Sequence, residues 1–410
     1  MSAPTKKQPL AGVRVTDFTW MGAGSFATRL LADLGADVIK VESRMRLDTL
    51  RESKPFKDGI PGVNRSGYFS ERNASKRSIT LNMKNERAQE LARSLIAKSD
   101  IVANNFTPGT MEKFGLGYED VRSFSPRSIY IAMSMQGSSG PEANYLGYGL
   151  TMGAVTGLHN LCGYPDRDPV GTGTNFPDHV PNPTHAAFAV LAALWYRRRT
   201  GIGQHIDLAQ IEPTISLLGP AVLDYTANGH IAQRAGNQHV AGAPHGVYPC
   251  AGVDRWIAIA ATGDVQWQAL VDVLGAGELG SDTRFADPLG RWRHRAVLDA
   301  LIAGATRTWQ ASELMHRLQA NGVPAGVVND SADVLRRDPQ IAERGQWIYL
   351  QHPEMGETVY TGAPFQLSRT PGQLTRPAPL LGEHTEQVCR EELGLSASEI
   401  AALHEQGVLQ

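Results

Sequence analysis

The sequence predicts an α/β protein, with a large Rossmann-like domain built on a parallel sheet and a smaller α+β domain. From residue 13 onward, short apolar strands alternate with amphipathic helices, the order that builds a parallel sheet covered on both faces. The first strand-to-helix turn carries Gly22, Gly24 and Ala27 in G-x-G-x-x-[GA] spacing, which lets backbone N–H groups approach an anion at a helix N-terminus. The polar, glycine-rich stretch 226–246 has neither helical nor strand period and reads as a linker or functional loop into a second unit.

Taken in order, "VRVTDF" is the first strand, and "SFATRLLADLG" places Phe26, Ala27, Leu30, Leu31 and Leu34 on one helical face. "ADVIKVE" is the second strand and completes a βαβ unit. "SITLNM" begins another, with a helix from Glu86 that sets Leu91, Ala92, Leu95 and Ile96 on one side, and then "DIVANNF". "SIYIAMSM" adds a further strand. A loop rich in Gly, Pro and Asp runs from 137 to 181. Asn182 and Pro183 then read as N-cap and N1 of the apolar helix "THAAFAVLAALWYRRR", which stops at Thr200-Gly201. "QHIDLAQ" closes the main sheet, giving a large domain over 1–220. A small domain over 226–335 has "RWIAIAA" and "VPAGVVND" as strands, with "QWQALVDVLG" and "ASELMHRLQANG" as helices. The segment 340–410 is too small to fold alone and must dock on another part.

At 410 residues, 42% hydrophobic and 20% charged, the chain can bury a sizeable core. Its 39 Lys and Arg nearly balance 41 Asp and Glu, so a net charge of -2 offers no overall field for nucleic acid or an anionic membrane. The three cysteines, Cys162, Cys250 and Cys389, form no C-x-x-C, which points to a reducing cytosol rather than a disulfide framework or structural zinc. The opening "MSAPTKKQPLAGVRV" has no apolar core, and no uninterrupted apolar run reaches about 18 residues. The expectation is a cytoplasmic protein with no membrane or nucleic-acid partner.

The opening motif serves an NAD(P) pyrophosphate, with Glu42 about twenty residues on for a ribose hydroxyl, or another phosphate-bearing or acyl ligand, or tight strand-to-helix packing. Basic residues at strand and helix junctions (Arg44, Arg46, Lys76, Arg77, Lys84, Lys113) suit a ligand with several phosphates. No H-E-x-x-H, G-x-S-x-G or P-loop is present, and the pairs His179/His185 and His239/His245 share no face, so no metal is expected. A carboxylate remains as nucleophile. Asp178 precedes the helix at 182, whose dipole would keep it ionised, but Asp166 and Asp168 are equally plausible loop acids and a capping or turn role serves as well.

Separated blocks decide among these. "LAGVRVTDFTWMGAGSFATRLLADLGADVIKVE", "NASKRSITLNMK", "NNFTPGTMEKFGLGYE", "YRRRTGIGQHIDLAQIE", "GNQHVAGAPHGVYPC", "NGVPAGVVND" and "APLLGEHT" resemble the landmarks of the class III CoA-transferases (the CaiB/BaiF family), in that family's order over nearly the whole chain. Through "PFKDGIPGVNRSGYF" and "MSMQGSSGP" the chain is similar to the benzylsuccinate CoA-transferase subunits within it.

The resemblance implies that the first domain is completed by 340–410 and that two chains interlock as a homodimer, or pair with a related subunit. It also implies that coenzyme A and acyl-CoA are substrates, with no tightly bound cofactor. Met21, Gly22 and Ala23 would line the coenzyme near its thioester; formyl-CoA transferase has a glutamine at the position of Gly22. Lys76, Arg77, Asn105, Phe106 and Lys113 would contact the nucleotide part, Lys113 replacing an arginine, while Arg44 falls beside the family's usual arginine. Asp178 falls in the segment of the catalytic aspartate. It would take the acyl group from a donor such as succinyl-CoA, then carry CoA as a thioester to an acceptor acid. Tyr148 matches a transferase tyrosine, and Gly242 and Gly246 in "GAPHG" stand for a glycine loop that closes over the intermediate in relatives. Racemases on the same scaffold have Gly-His-Asp where this chain reads Gly147-Tyr148-Gly149, so a two-base α-proton transfer lacks its histidine. An NAD(P)-dependent oxidoreductase, read from the first motif alone, and an inactive subunit of a hetero-oligomer also stay open, and an intact Asp178 argues against the second.

Overall fold

The computed structural model describes residues 8–410; the seven before them, part of the segment read above for an export signal, lie outside. Strands β1 (Arg14–Asp17), β2 (Asp37–Glu42), β3 (Arg77–Thr80), β4 (Ile101–Asn104), β5 (Ile129–Ala132) and β6 (His205–Asp207) form one sheet. Their order is β3-β2-β1-β4-β5-β6, and every neighbouring pair is parallel. Chain order reverses between β1 and β4, which opens a crevice at the carboxyl ends of the strands. β3 and β4 are buried along their whole length, as strands covered on both faces are.

The first helix, α1 (Met21–Asp33), already contains the glycines expected in the preceding turn. It is covered more completely than a single apolar face predicts. Phe26 and Leu30 are only half-buried, whereas Arg29 and Asp33 are buried and paired at 3.2 Å, and Arg29 also reaches Glu71 at 2.9 Å. Ser66 caps α2 (Gly67–Asn73) by accepting from the Phe69 N–H, and Asn85 caps α3 (Glu86–Ile96) by accepting from the Arg87 N–H. The predicted face of α3, Leu91, Ala92, Leu95 and Ile96, is buried.

The short α4 (Tyr118–Phe124) leads to β5. The segment expected as loop from 137 to 181 holds α5 (Gly149–Val155) and α6 (Phe176–His179), too short to leave a periodic signal. The long helix α7 (Pro181–Thr200) starts earlier than predicted: Val180 is its N-cap and Pro181 its first residue, where a missing N–H costs nothing. Asn182 is therefore no cap. It is buried, and its amide donates to Gln210 Oε1 at 3.3 Å. Gly201, at φ 77°, ends the helix. Helices α8 (Ile211–Ser216) and α9 (Gly219–Asn228) follow, so α9 runs through the residues left between the two expected domains.

The chain divides into two compact units. One takes in the chain up to Asn160, Val170–Ala232 and Ile341–Gln410; the other is Leu161–Pro169 with Gln233–Gln340. The second unit has an antiparallel sheet of β7 (His245–Pro249), β8 (Trp256–Ala260) and β9 (Ala325–Val327). Ile257, Ile259, Leu270, Leu298, Ile302 and Leu314 build its core. The C-terminal segment adds a hairpin, β10 (Trp347–His352) and β11 (Gly356–Thr361), to the first unit, and two helices, Thr385–Glu391 and Ala397–Glu405. Val388, Ile400, Leu403, Val408 and Leu409 enter the same core as β3, β4 and α3. Among the described residues no helix is long and apolar enough to cross a membrane.

Because Leu403 is 5% exposed in that shared core, Leu403→Ala should cost about 2–4 kcal/mol, read as a lower urea midpoint. Deleting 397–410 should leave no folded first unit by circular dichroism.

Candidate active site

The carboxyl ends of the strands surround a cavity of about 530 Å³ within the first unit. Phe18 follows β1 there, Ser43 follows β2, Leu81 to Lys84 follow β3, Asn105 to Thr107 follow β4, and Ser134 and Met135 follow β5. The wall is mostly apolar, with the adaptable side chains of Met21, Met45, Met83 and Met135, and cations at Arg46 and Lys84.

Asp178 stands in this wall, in α6, with only 6% of its surface exposed. Its Oδ2 accepts the Gly149 N–H at 3.1 Å. Two glycines make room for it: a Cβ on Gly22 would lie 2.9 Å from Asp178 Cβ, and one on Gly149 would lie 2.8 Å from Oδ2. Gly22 therefore gives space to a carboxylate of the protein. The predicted control by a helix dipole is not what dominates. Desolvation pushes the Asp178 carboxyl up to about 6, against the Gly149 hydrogen bond and the Arg72 charge that favour ionisation. At pH 7 it is still mainly ionised.

The turn into α1 is held by a side chain from the end of β4. Asn105 Oδ1 accepts the Trp20 N–H at 2.8 Å, and its amide donates to the Trp20 carbonyl at 2.7 Å. Gly24 is needed here, since a Cβ would stand 2.8 Å from Asn105. Phe106 packs edge-on against Trp20, ring centres 5.6 Å apart, and Arg46 lies 5.3 Å from the same indole. Met21 adopts φ 59°, a left-handed conformation unusual for a side chain of its size, and its N–H donates to Asp48 at 3.1 Å.

Met21, Gly22, Ala23, Asn105, Phe106, Tyr148 and Asp178 thus line one cavity, although Asn105 spends its amide on positioning Trp20. Four predicted cations do not line it. Lys76 is fully buried, and its ammonium bonds Asp17 at 3.0 Å, Thr28 at 2.8 Å and Asn73 at 2.9 Å. Arg77 opens β3, at the opposite edge of the sheet, and grips Asp37 at 2.9 and 2.5 Å and Glu392 at 3.1 Å. Arg44 donates to the Leu381 carbonyl at 3.2 Å. Lys113 is exposed, next in sequence to the lining Phe114.

Glu42, which an NAD site would use for a ribose, is buried in a fork with Arg51 at 2.8 and 2.7 Å. Gly242 and Gly246 belong to the second unit and form no open glycine loop. Gly246 is a residue of β7 paired with Ile259, and a Cβ on Gly242 would meet Thr262 at 2.4 Å. Asp166 and Asp168 are exposed in the second unit. Sequence reasoning did not assign Met45, Leu81, Met83, Ser134 or Gln210 to the cavity. The rule that strand C-termini face the ligand could have found Leu81 and Ser134.

The model of the family described as "CoA-transferase family III" matches residues 10–385. The succinyl-CoA–D-citramalate CoA-transferase of Chloroflexus aurantiacus is 34% identical over 409 residues, 100% of each chain. The succinate–glutarate CoA-transferase of Agrobacterium fabrum is also 34% identical, covering 95% of this chain and 96% of the other. The crystal structure of a CaiB/BaiF family protein from Brucella suis matches with a TM-score of 0.87 and 35% identity, over 94% of this chain and 100% of that one.

Lys76 neutralises a carboxylate with no access to water, so Lys76→Met should destabilise the fold by about 3–5 kcal/mol in thermal unfolding, while coenzyme A affinity of the folded fraction measured by calorimetry is kept. The Asp178 shift makes a second prediction. A carboxyl raised from 3.8 to about 6 on folding contributes stability that is complete below pH 3.8 and lost as pH rises through 6. Asp178→Asn should therefore raise the melting temperature at pH 7, by up to about 3 kcal/mol in stability, and not at pH 4. Equal gains at both pH values would show that ionisation is not the cause.

Proposed function

Because the chain belongs to CoA-transferase family III and moves coenzyme A between an acyl-CoA and a carboxylic acid, we propose that Asp178 carries first the acyl group and then the coenzyme. The observation that carries this reading is the Asp178 carboxylate, buried in the cavity wall where glycines at 22 and 149 leave it room. Asp166 and Asp168 have no such setting.

The Asp178 oxygen attacks the thioester carbonyl, the C–S bond breaks, and a mixed anhydride and CoA thiolate result. The thiolate attacks the aspartyl carbonyl and expels the donor acid as its carboxylate, leaving an aspartyl-CoA thioester. The acceptor carboxylate then attacks that thioester, and the thiolate released takes up the acceptor acyl group, restoring Asp178. No net proton moves in the cycle, and coenzyme A enters only as a substrate. The Gly149 N–H orients the attacking carboxylate, and the apolar wall keeps water from the anhydride. Arg46 and Lys84, at the ends of β2 and β3, suit the phosphates of the coenzyme. The names of the relatives point to succinyl-CoA as donor and a dicarboxylic acid as acceptor.

Transfer is favoured over α-proton exchange by His179, the histidine beside Asp178. Both of its ring nitrogens are engaged, Nδ1 with Arg72 at 2.5 Å and Nε2 with the Tyr68 hydroxyl at 3.3 Å, so it is no free second base. The assembly we propose is a homodimer in the cytosol. Phe188 and Trp195 of α7 and Leu223 of α9 are 74%, 63% and 68% exposed, apolar surface that a second copy would cover.

With succinyl-CoA and no acceptor, borohydride should convert Asp178 to an alcohol, a loss of about 14 mass units found by peptide mapping. Asp178→Ala should abolish label and transfer and keep coenzyme A binding. A label on another residue, or transfer by the alanine variant at the normal rate, would overturn the assignment.

A further inference from the structure

The two cations that face the cavity, Arg46 and Lys84, stand in the loops that follow the paired strands β2 and β3. Among the described residues neither is in an ion pair, and Arg46 has only the Trp20 ring at 5.3 Å beside it. A long side chain without a charged partner is aimed by its backbone, so the spacing of these two charges depends on how the two loops are held. Both are held in the same way. Ser43 Oγ accepts the Met45 N–H at 3.2 Å, and Asn82 Oδ1 accepts the Lys84 N–H at 3.3 Å, each closing the turn that carries a cation.

The donors of these residues all go to one segment, 407–410. Asn82 donates its amide to the Gly407 carbonyl at 3.3 Å and its backbone N–H to the Val408 carbonyl at 2.9 Å. Thr80, the last residue of β3, donates to the Leu409 carbonyl at 3.1 Å, and Ser43 Oγ donates to the main-chain oxygen of Gln410 at 3.0 Å. Four consecutive main-chain oxygens are thus spent on the ends of two adjacent strands. Gly407, at φ 67°, turns the chain out of the last helix to reach them. Burying Val408 and Leu409 in the core would need only their side chains; the four acceptors go further and tie the two cation-bearing loops to one piece of backbone. None of the four residues lines the cavity.

We propose that residues 407–410 are positioning residues for coenzyme A: they lock the loops after β2 and β3 together and so fix the spacing at which Arg46 and Lys84 meet its phosphates; this rests on those two cations being the phosphate ligands. The contribution is to binding. Asp178 is placed by Gly22 and Gly149 and shares none of these hydrogen bonds, so the chemical steps are untouched.

The test is exchange of labelled succinate with succinyl-CoA and with succinyl-pantetheine, which has the same thioester and no phosphate. Gly407→Val places a β-branched residue at positive φ and displaces the carbonyls from outside the cavity. It should lower kcat/KM for succinyl-CoA at least about fivefold, through KM, and leave succinyl-pantetheine unchanged. Deletion of Gln410, which is exposed and adds nothing to the core, should move the ratio of the two thioesters in the same direction, and decides the matter if Gly407→Val does not fold. No fall in that ratio, or equal losses for both thioesters, would overturn the proposal. The double variant Arg46→Met, Lys84→Met separates it from the reading beneath it. If the double variant keeps the normal ratio, the phosphate assignment fails; if it loses the ratio while the variants at 407 and 410 keep it, only the role of 407–410 fails.

Discussion

Hydrogen is the only substituent that Gly22 and Gly149 can carry beside Asp178, and the close approach this permits sets the character of the site. It brings the first turn of α1, the start of α5 and the short α6 together around one carboxylate and shuts water out. Burial then raises its pKa to about 6, still low enough for it to be mainly ionised at pH 7. The backbone bears part of the cost. Met21, next to Gly22, is held at φ 59°, and such a conformation persists only where its surroundings fix it.

What fixes it is a layer of buried charge beneath the cavity. Asp48 accepts the Met21 N–H with one oxygen and pairs with Lys40 of β2 at 3.0 Å with the other. Beside it, burial works to raise Asp17, but Lys76 and Lys40 outweigh that and hold it below the usual carboxylate range. Glu42 and Arg51 close a third pair at 2.7 Å. Such pairs contribute little net stability when complete, yet each is expensive to break, so they hold the strand ends and the α1 turn in one arrangement. Lys76, which looks from sequence like a phosphate ligand, is a counter-ion within this layer. The cations facing the cavity, Arg46 and Lys84, come just beyond the strands, and among the described residues neither is in an ion pair.

That division explains which features are legible without coordinates. β4 and β5 are mostly apolar and α3 has a clean period, so these elements can be read directly from the sequence. The faces of α1 cannot, because burying Arg29 and Asp33 depends on Glu71 and Thr361 from distant segments. The G-x-G-x-x-A turn is recognisable as a ligand loop, but its glycines answer to Asp178 and Asn105, more than 80 residues away in the chain, which no local spacing reveals. Lys76 and Arg77 mislead for the same reason: a basic pair before a strand looks alike whether it meets phosphate or a buried Asp17 and Asp37.

The desolvation that resists ionisation at rest also bears on turnover. Keeping Asp178 charged in its pocket costs up to about 3 kcal/mol relative to water, judged from a rise of about two pKa units. In the proposed cycle the residue is neutral both as anhydride and as aspartyl-CoA thioester, so that cost is relieved when the acyl group arrives and returns when it leaves. The covalent states are thereby brought closer in energy to the free enzyme than they would be on an exposed aspartate. The methionine-lined wall that raises the pKa also keeps out the water that would hydrolyse them. In the proposed cycle such a site passes coenzyme A between two acids because the same burial that makes its carboxylate reluctant to be charged makes it receptive to being acylated.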